Sequence, residues 1–158
     1  GIVGDNLALK GGFNYPNDNL YDKYKDKIDI KLEKGEQLNL IGYSNGAMLS
    51  AHTALAIARG GRRVDHLVLI GAPIGADLLE ALESEKNIVD IIIINLTDYG
   101  DPIYAGMPWS ELVTSFPTLA QQFAAGNGTG HFYYAPSGPI GQARRDTLAE
   151  ELFSLGLR

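Results

Sequence analysis

Apolar positions in this chain gather into three short runs rich in Ile, Val and Leu: residues 37–41, 64–70 and 88–96. The last reads Ile-Val-Asp-Ile-Ile-Ile-Ile-Asn-Leu. Runs without strict alternation are the pattern of parallel strands covered on both faces. Residues 46–59 are apolar nearly all round, through Ala47, Met48, Ala51, Ala54, Leu55, Ile57 and Ala58, which predicts a buried crossover helix. Gly60-Gly61 caps it, and Arg59, Arg62 and Arg63 read as capping and solvated residues at the negative end of its dipole. Gly71-Ala-Pro-Ile-Gly75 then breaks the chain, and 76–84 reads as a short amphipathic helix. A Gly/Pro-rich loop over 98–108 precedes two short helical stretches, 109–116 and 118–125. A glycine-rich loop over 126–130 leads to His131, and 142–155 is an amphipathic helix with Leu148, Leu152 and Leu155 on one stripe. The alternation of strand and helix predicts an α/β fold with a mainly parallel sheet flanked by helices.

Before residue 36 two periods compete. Leu20, Tyr24, Ile28 and Leu32 recur every four residues, which favours a helix starting near residues 17–19. Ile28, Ile30 and Leu32 also alternate, as a strand would. The helix is preferred, because Glu33-Lys-Gly-Glu36 then serves as its C-terminal turn into the first clear strand.

Composition narrows the function classes. A length of 158 residues suits one domain with a proper core, and 45% apolar with 20% charged residues is an ordinary globular mix. A formal net charge of −6 lacks the basic face that nucleic acid requires and reads as a solubility device. With no cysteine, disulfides, thiolate metal sites and cysteine nucleophiles are excluded. The longest apolar run, 91–94 with its neighbours, is too short to span a bilayer, so no transmembrane segment is expected. No signal peptide is legible, and the chain opens on Gly1, so the natural N-terminus is expected to have been removed or to lie upstream.

The candidate chemistry starts at Gly42-Tyr-Ser44-Asn-Gly46, a G-x-S-x-G pentapeptide set between a predicted strand and a predicted helix. That context is what a nucleophile elbow requires. Gly42, Gly46 and Ala47 leave the tight turn nearly free of side chains, and the helix N-terminus offers backbone N–H groups where an oxyanion would form. A serine hydroxyl needs a base, usually a histidine oriented by a carboxylate. Of three histidines, His52 falls within a helix and His66 within a strand, whereas His131 lies on a late loop, where catalytic groups are mounted on a rigid sheet. Asp98 and Asp101 both follow the third strand. Asp101 is the preferred acid and Asp98 the alternative, with an Asx-turn role for the other. Neither a phosphate-binding loop, a dinucleotide glycine motif nor H-E-x-x-H is present.

The order Ser44, Asp101, His131, with Gly-Ala-Pro73 after the second strand, Gly-Asp-Pro-Ile103 and Gly-His-Phe132, resembles the α/β-hydrolases of the serine esterase or lipase type over roughly residues 36–135. The resemblance implies one domain over residues 1–158, with Ser44 as nucleophile, His131 as base and Asp101 as acid. It implies the backbone N–H of Asn45 as one oxyanion-hole donor, no metal or organic cofactor, and a small-molecule or lipid ester as substrate. The family's second oxyanion donor lies on an early loop, for which Gly11-Gly12-Phe13 is the candidate through Gly12. Four strands normally precede the family's elbow, and 36 residues hold one or two. Either the fold is stripped down or the chain is the C-terminal part of a polypeptide with an upstream domain. A strand also leads into the family's histidine; 118–130 does not read as one, and the aromatic run after His131 is its displaced candidate. The alternative function is a non-catalytic relative that acts as a binding or interaction module; retention of all three candidate residues favours catalysis.

Overall fold

The computed structural model describes residues 31–158. Strands β1 (Asn39–Tyr43), β2 (Val64–Ile70) and β3 (Ile88–Ile94) form a parallel sheet in that order. Helix α1 (Asn45–Arg59) joins β1 to β2, and α2 (Ala76–Glu83) joins β2 to β3. The order advances one place per crossover, and crossovers keep one hand, so both helices fall on the same face. There Ala47, Ala51, Ala54 and Ala58 let α1 sit close to Val64, Leu67 and Leu69, with Leu82 of α2 beside them. Helix α3 (Trp109–Ala125) follows β3 after a long loop, and α4 (Pro139–Ser154) ends the chain. Leu148 and Leu152 of α4 cover the other face, packing with Val68, Ile70, Leu96 and Leu157. Leu67, Val68 and Leu69 are fully buried, which is why β2 carries no polar alternation.

Several boundaries differ from the sequence pattern for local reasons. Strand β1 starts at Asn39, because the Leu38 N–H donates to the Asp65 carboxylate instead of to a strand carbonyl; the Gln37 side chain before it donates to the Gly156 carbonyl and accepts from Arg158 N–H. Strand β3 stops at Ile94, and the Asn95 side chain instead accepts from the Ala105 N–H at 3.0 Å. The two stretches expected at 109–116 and 118–125 are one helix that runs through Pro117. Proline's missing N–H deprives only the Val113 carbonyl of its partner, and both residues are exposed, so water can satisfy that carbonyl. Helix α4 begins at Pro139, a favoured first position. Leu155 of the expected stripe is exposed, and Leu157 is buried in its stead. The helix expected from residues 17–19 lies outside the described residues apart from its last positions, 31–33, which are not helical. Residues 33–36 form the expected turn, closed by Glu36 N–H donating to the Glu33 carbonyl. Among the described residues no helix is long and apolar enough to cross a membrane.

Candidate active site

The ladder continues one residue beyond two of the strands. Ser44 N–H donates to the Ile70 carbonyl and Gly71 N–H to the Ile94 carbonyl, each at 2.9 Å. Ser44 and Gly71 therefore stand side by side at the carboxyl edge of the sheet, where open α/β sheets bind ligands. Ser44 is the one non-glycine residue described with a positive φ (φ 56°, ψ −126°), a backbone state that costs on the order of 1–3 kcal/mol. Its carbonyl accepts from Ala47 N–H at 2.9 Å, starting α1 without a side-chain cap and leaving the hydroxyl to other partners.

The partner is His131. Ser44 Oγ lies 2.6 Å from His131 Nε2, and His131 Nδ1 lies 2.8 Å from Asp101 Oδ2. A carboxylate only accepts, so Nδ1 carries the ring proton and Nε2 of the neutral ring accepts from the serine hydroxyl. The second Asp101 oxygen accepts from Ile103 N–H at 2.8 Å, so this aspartate makes an Asx-type turn as well as holding the histidine. Asp101 and His131 are 4% and 5% exposed, which keeps water from competing for their hydrogen bond. Gly71 (φ 51°) forms the floor: a Cβ there would come within 3.1 Å of Asp101 Oδ2 and 3.5 Å of His131 Nδ1.

Of the two acid candidates the structure brings Asp101 to the histidine. Asp98 sits exposed on a 3-10 turn, Thr97–Tyr99. Asn45 is the first residue of α1, so its N–H has no intrahelical acceptor and lies at the positive end of the helix. Gly12 lies outside the described residues. His66 bonds the Asn39 side chain across β1 and β2 at 2.9 Å, and His52 is a partly buried residue of α1. Among the described residues no three His, Cys, Asp or Glu side chains cluster so as to hold a metal ion.

As the sequence pattern indicates, no strand leads into His131: α3 ends at Ala125, capped by Gly126. The displaced strand expected in the aromatic run after His131 is absent, because Gly130–Phe132 is a 3-10 turn and Tyr133 continues it in a helical backbone state. Gly126, Gly128 and Gly130 all have positive φ, at 62°, 68° and 56°, a sequence of left-handed steps incompatible with an extended strand. Side chains hold the loop instead. Arg144 donates to the Gly128 and Tyr133 carbonyls, and Arg145 donates to those of Tyr134 and Pro136. The Tyr43 hydroxyl donates to the His131 carbonyl, and the Tyr43 ring stacks on the imidazole with centroids 5.8 Å apart. Gln122 of α3 accepts from His131 N–H at 2.9 Å. None of these four residues is singled out by sequence spacing, although Tyr43 stands inside the pentapeptide. Burial, and secondarily the Asp101 charge and Tyr134, push the Tyr43 hydroxyl far above its ordinary range, so it remains protonated and able to donate.

No family model, curated protein or solved structure matches the chain.

Proposed function

We propose that this chain is a serine hydrolase of the α/β-hydrolase type that cleaves a carboxylic ester, of a small molecule or lipid, through an acyl-enzyme. The observation that supports it is the unbroken hydrogen-bonded line from Ser44 Oγ through the His131 ring to Asp101, mounted on a strained turn at the sheet edge. Ser44 Oγ forms a bond to the ester carbonyl carbon as its proton passes to His131 Nε2. The carbon–alkoxy bond then breaks, and the alcohol leaves with that proton. Water gives a proton to the same nitrogen and its oxygen to the carbonyl carbon; the carbon–Oγ bond breaks, and the proton returns to Ser44. Asp101 fixes the ring tautomer and stabilises the imidazolium. The Asn45 N–H is directed to the oxyanion; one such donor contributes about 3 kcal/mol of transition-state stabilisation.

Fluorophosphonate labelling tests this reading. The wild-type protein is expected to label and Ser44→Ala to remain unlabelled. Asp101→Asn is expected to label about 10⁴-fold more slowly, the usual effect of presenting the wrong tautomer. Equal labelling of wild type and Ser44→Ala, or none in either, overturns the nucleophile. Turnover of a panel of aryl esters of graded acyl length then reads the substrate class; labelling without turnover of any ester favours the binding module.

A further inference from the structure

We propose that Gln122 is the positioning residue of the histidine base, its amide fastening the base loop to the acid loop. The proposal rests on the hydrolase reading of the Ser44–His131–Asp101 line. Oε1 of Gln122 accepts from His131 N–H at 2.9 Å, while Nε2 donates to the Gly100 carbonyl at 2.8 Å. Only one orientation of the amide satisfies both, since an N–H needs the oxygen and a carbonyl needs the nitrogen. Gly100 directly precedes Asp101, so the amide joins the base to the peptide bond beside its own acid.

The seat is shaped for this side chain. A Cβ on Gly130 would fall 2.2 Å from Gln122 Nε2 and 2.3 Å from both Cδ and Oε1. Only a glycine, here at φ 56°, lets the amide lie flat against the turn that carries the base. The other backbone group of His131, its carbonyl, is held from the opposite side by Tyr43, the neighbour of Ser44. Each backbone tether of the base thus ends on a residue adjacent to one of its reaction partners. The three glycines before His131 have the widest conformational freedom of any residue, and no ladder restrains them. Without the amide the His131 N–H loses its partner and the base loop its link to Gly100, leaving Tyr43 and the Asp101 side chain to align the ring; a displacement of about 1 Å costs on the order of 10²-fold in rate.

Gln122→Met keeps the shape and removes both hydrogen bonds, whereas Gln122→Glu keeps the acceptor and removes the donor. At saturating fluorophosphonate, Gln122→Met is expected to acylate on the order of 10²-fold more slowly than wild type, with the half-saturating probe concentration unchanged. Gln122→Glu is expected to fall between the two. The far-downfield proton NMR signal of His131 Nδ1–H should broaden in Gln122→Met while the far-ultraviolet circular dichroism stays native. This signal reads the tether even if wild type fails to label, so failure of the tether and failure of the hydrolase reading are distinguishable. A wild-type rate and an unchanged Nδ1–H signal in Gln122→Met would overturn the proposal. Should that variant not fold, a wild-type rate and signal in Gln122→Glu would do the same for the link to Gly100.

Discussion

A Cβ on Gly42 would lie 2.4 Å from the Gly46 carbonyl oxygen, 2.5 Å from Ala47 Cα and 2.6 Å from Ser50 Oγ, whereas one on Gly46 would meet no atom within 4 Å. The two glycines of the pentapeptide therefore do different things. Gly42 lets the first turn of α1 fold back against the end of β1, so that the serine between them is pressed out of the sheet. Gly46 is not required by packing, contrary to the expectation that both flanks must be bare. Gly42→Ala is expected to destabilise by about 1–3 kcal/mol or more, the usual cost of overpacking against a backbone that cannot give way. Gly46→Ala should be neutral or stabilising, because alanine favours the helix. Urea unfolding of the two variants checks the opposite signs, and equal destabilisation would contradict this account of the turn.

Helix α3 and the loop it feeds show where pattern and structure part. Apolar spacing and Pro117 together suggest a break, yet the helix runs through it, with the carbonyl that loses its partner on an exposed face where water can reach it. The strand β1 reaches His131 through a side chain, Tyr43, and this link has a pH dependence of definite sign. Its hydroxyl is raised above the ordinary 10.0 in the folded chain, so above that pH the unfolded chain holds fewer protons than the folded one. The stabilisation is complete below pH 10 and is lost as pH rises from there towards the folded value. Tyr43→Phe is expected to be less stable than wild type at neutral pH, by about 0.5–1.5 kcal/mol for the hydrogen bond. That difference should shrink at pH 11, as followed by chemical unfolding at both pH values. A difference that does not change with pH would mean that the hydroxyl is not protected by the fold.

Across the whole molecule, what was legible followed from local chemistry. The parallel three-stranded sheet, the turn at Ser44 and the buried alanine helix are written in contiguous patterns, since one face of the sheet is covered by the helices that join its own strands; the other face is covered by α4 from the far end of the chain. Asp98 and Asp101 both follow the same strand, so spacing alone leaves the partner of His131 open between them. Burial then separates them, and burial depends on which loop packs over which sheet edge. Arg144, Arg145 and Gln122 were not legible because an ordinary surface arginine or glutamine has the same spacing whether or not a loop carbonyl or N–H faces it. The aromatic run after His131 misleads for a related reason: its residues suit a strand by type, but the local turn bonds from Phe132 N–H to Thr129, Tyr133 N–H to Gly130 and Ala135 N–H to Phe132 that replace one leave no mark in the spacing.

The helix that carries Gln122 buries one residue of its length, Ser115, while Trp109, Val113, Phe116 and Phe123 stay exposed. Segments with few buried contacts open at a fraction of the global unfolding free energy. In native-state hydrogen exchange the His131 amide, bonded to that helix, is therefore expected to exchange through a local opening that denaturant hardly affects. The amides of Leu67, Val68 and Leu69 should await global unfolding. A common exchange free energy for both sets would contradict this division. The histidine can then lose its alignment with Ser44 and Asp101 and recover it while the sheet remains folded, so the integrity of the fold and the alignment of these three side chains are separate equilibria.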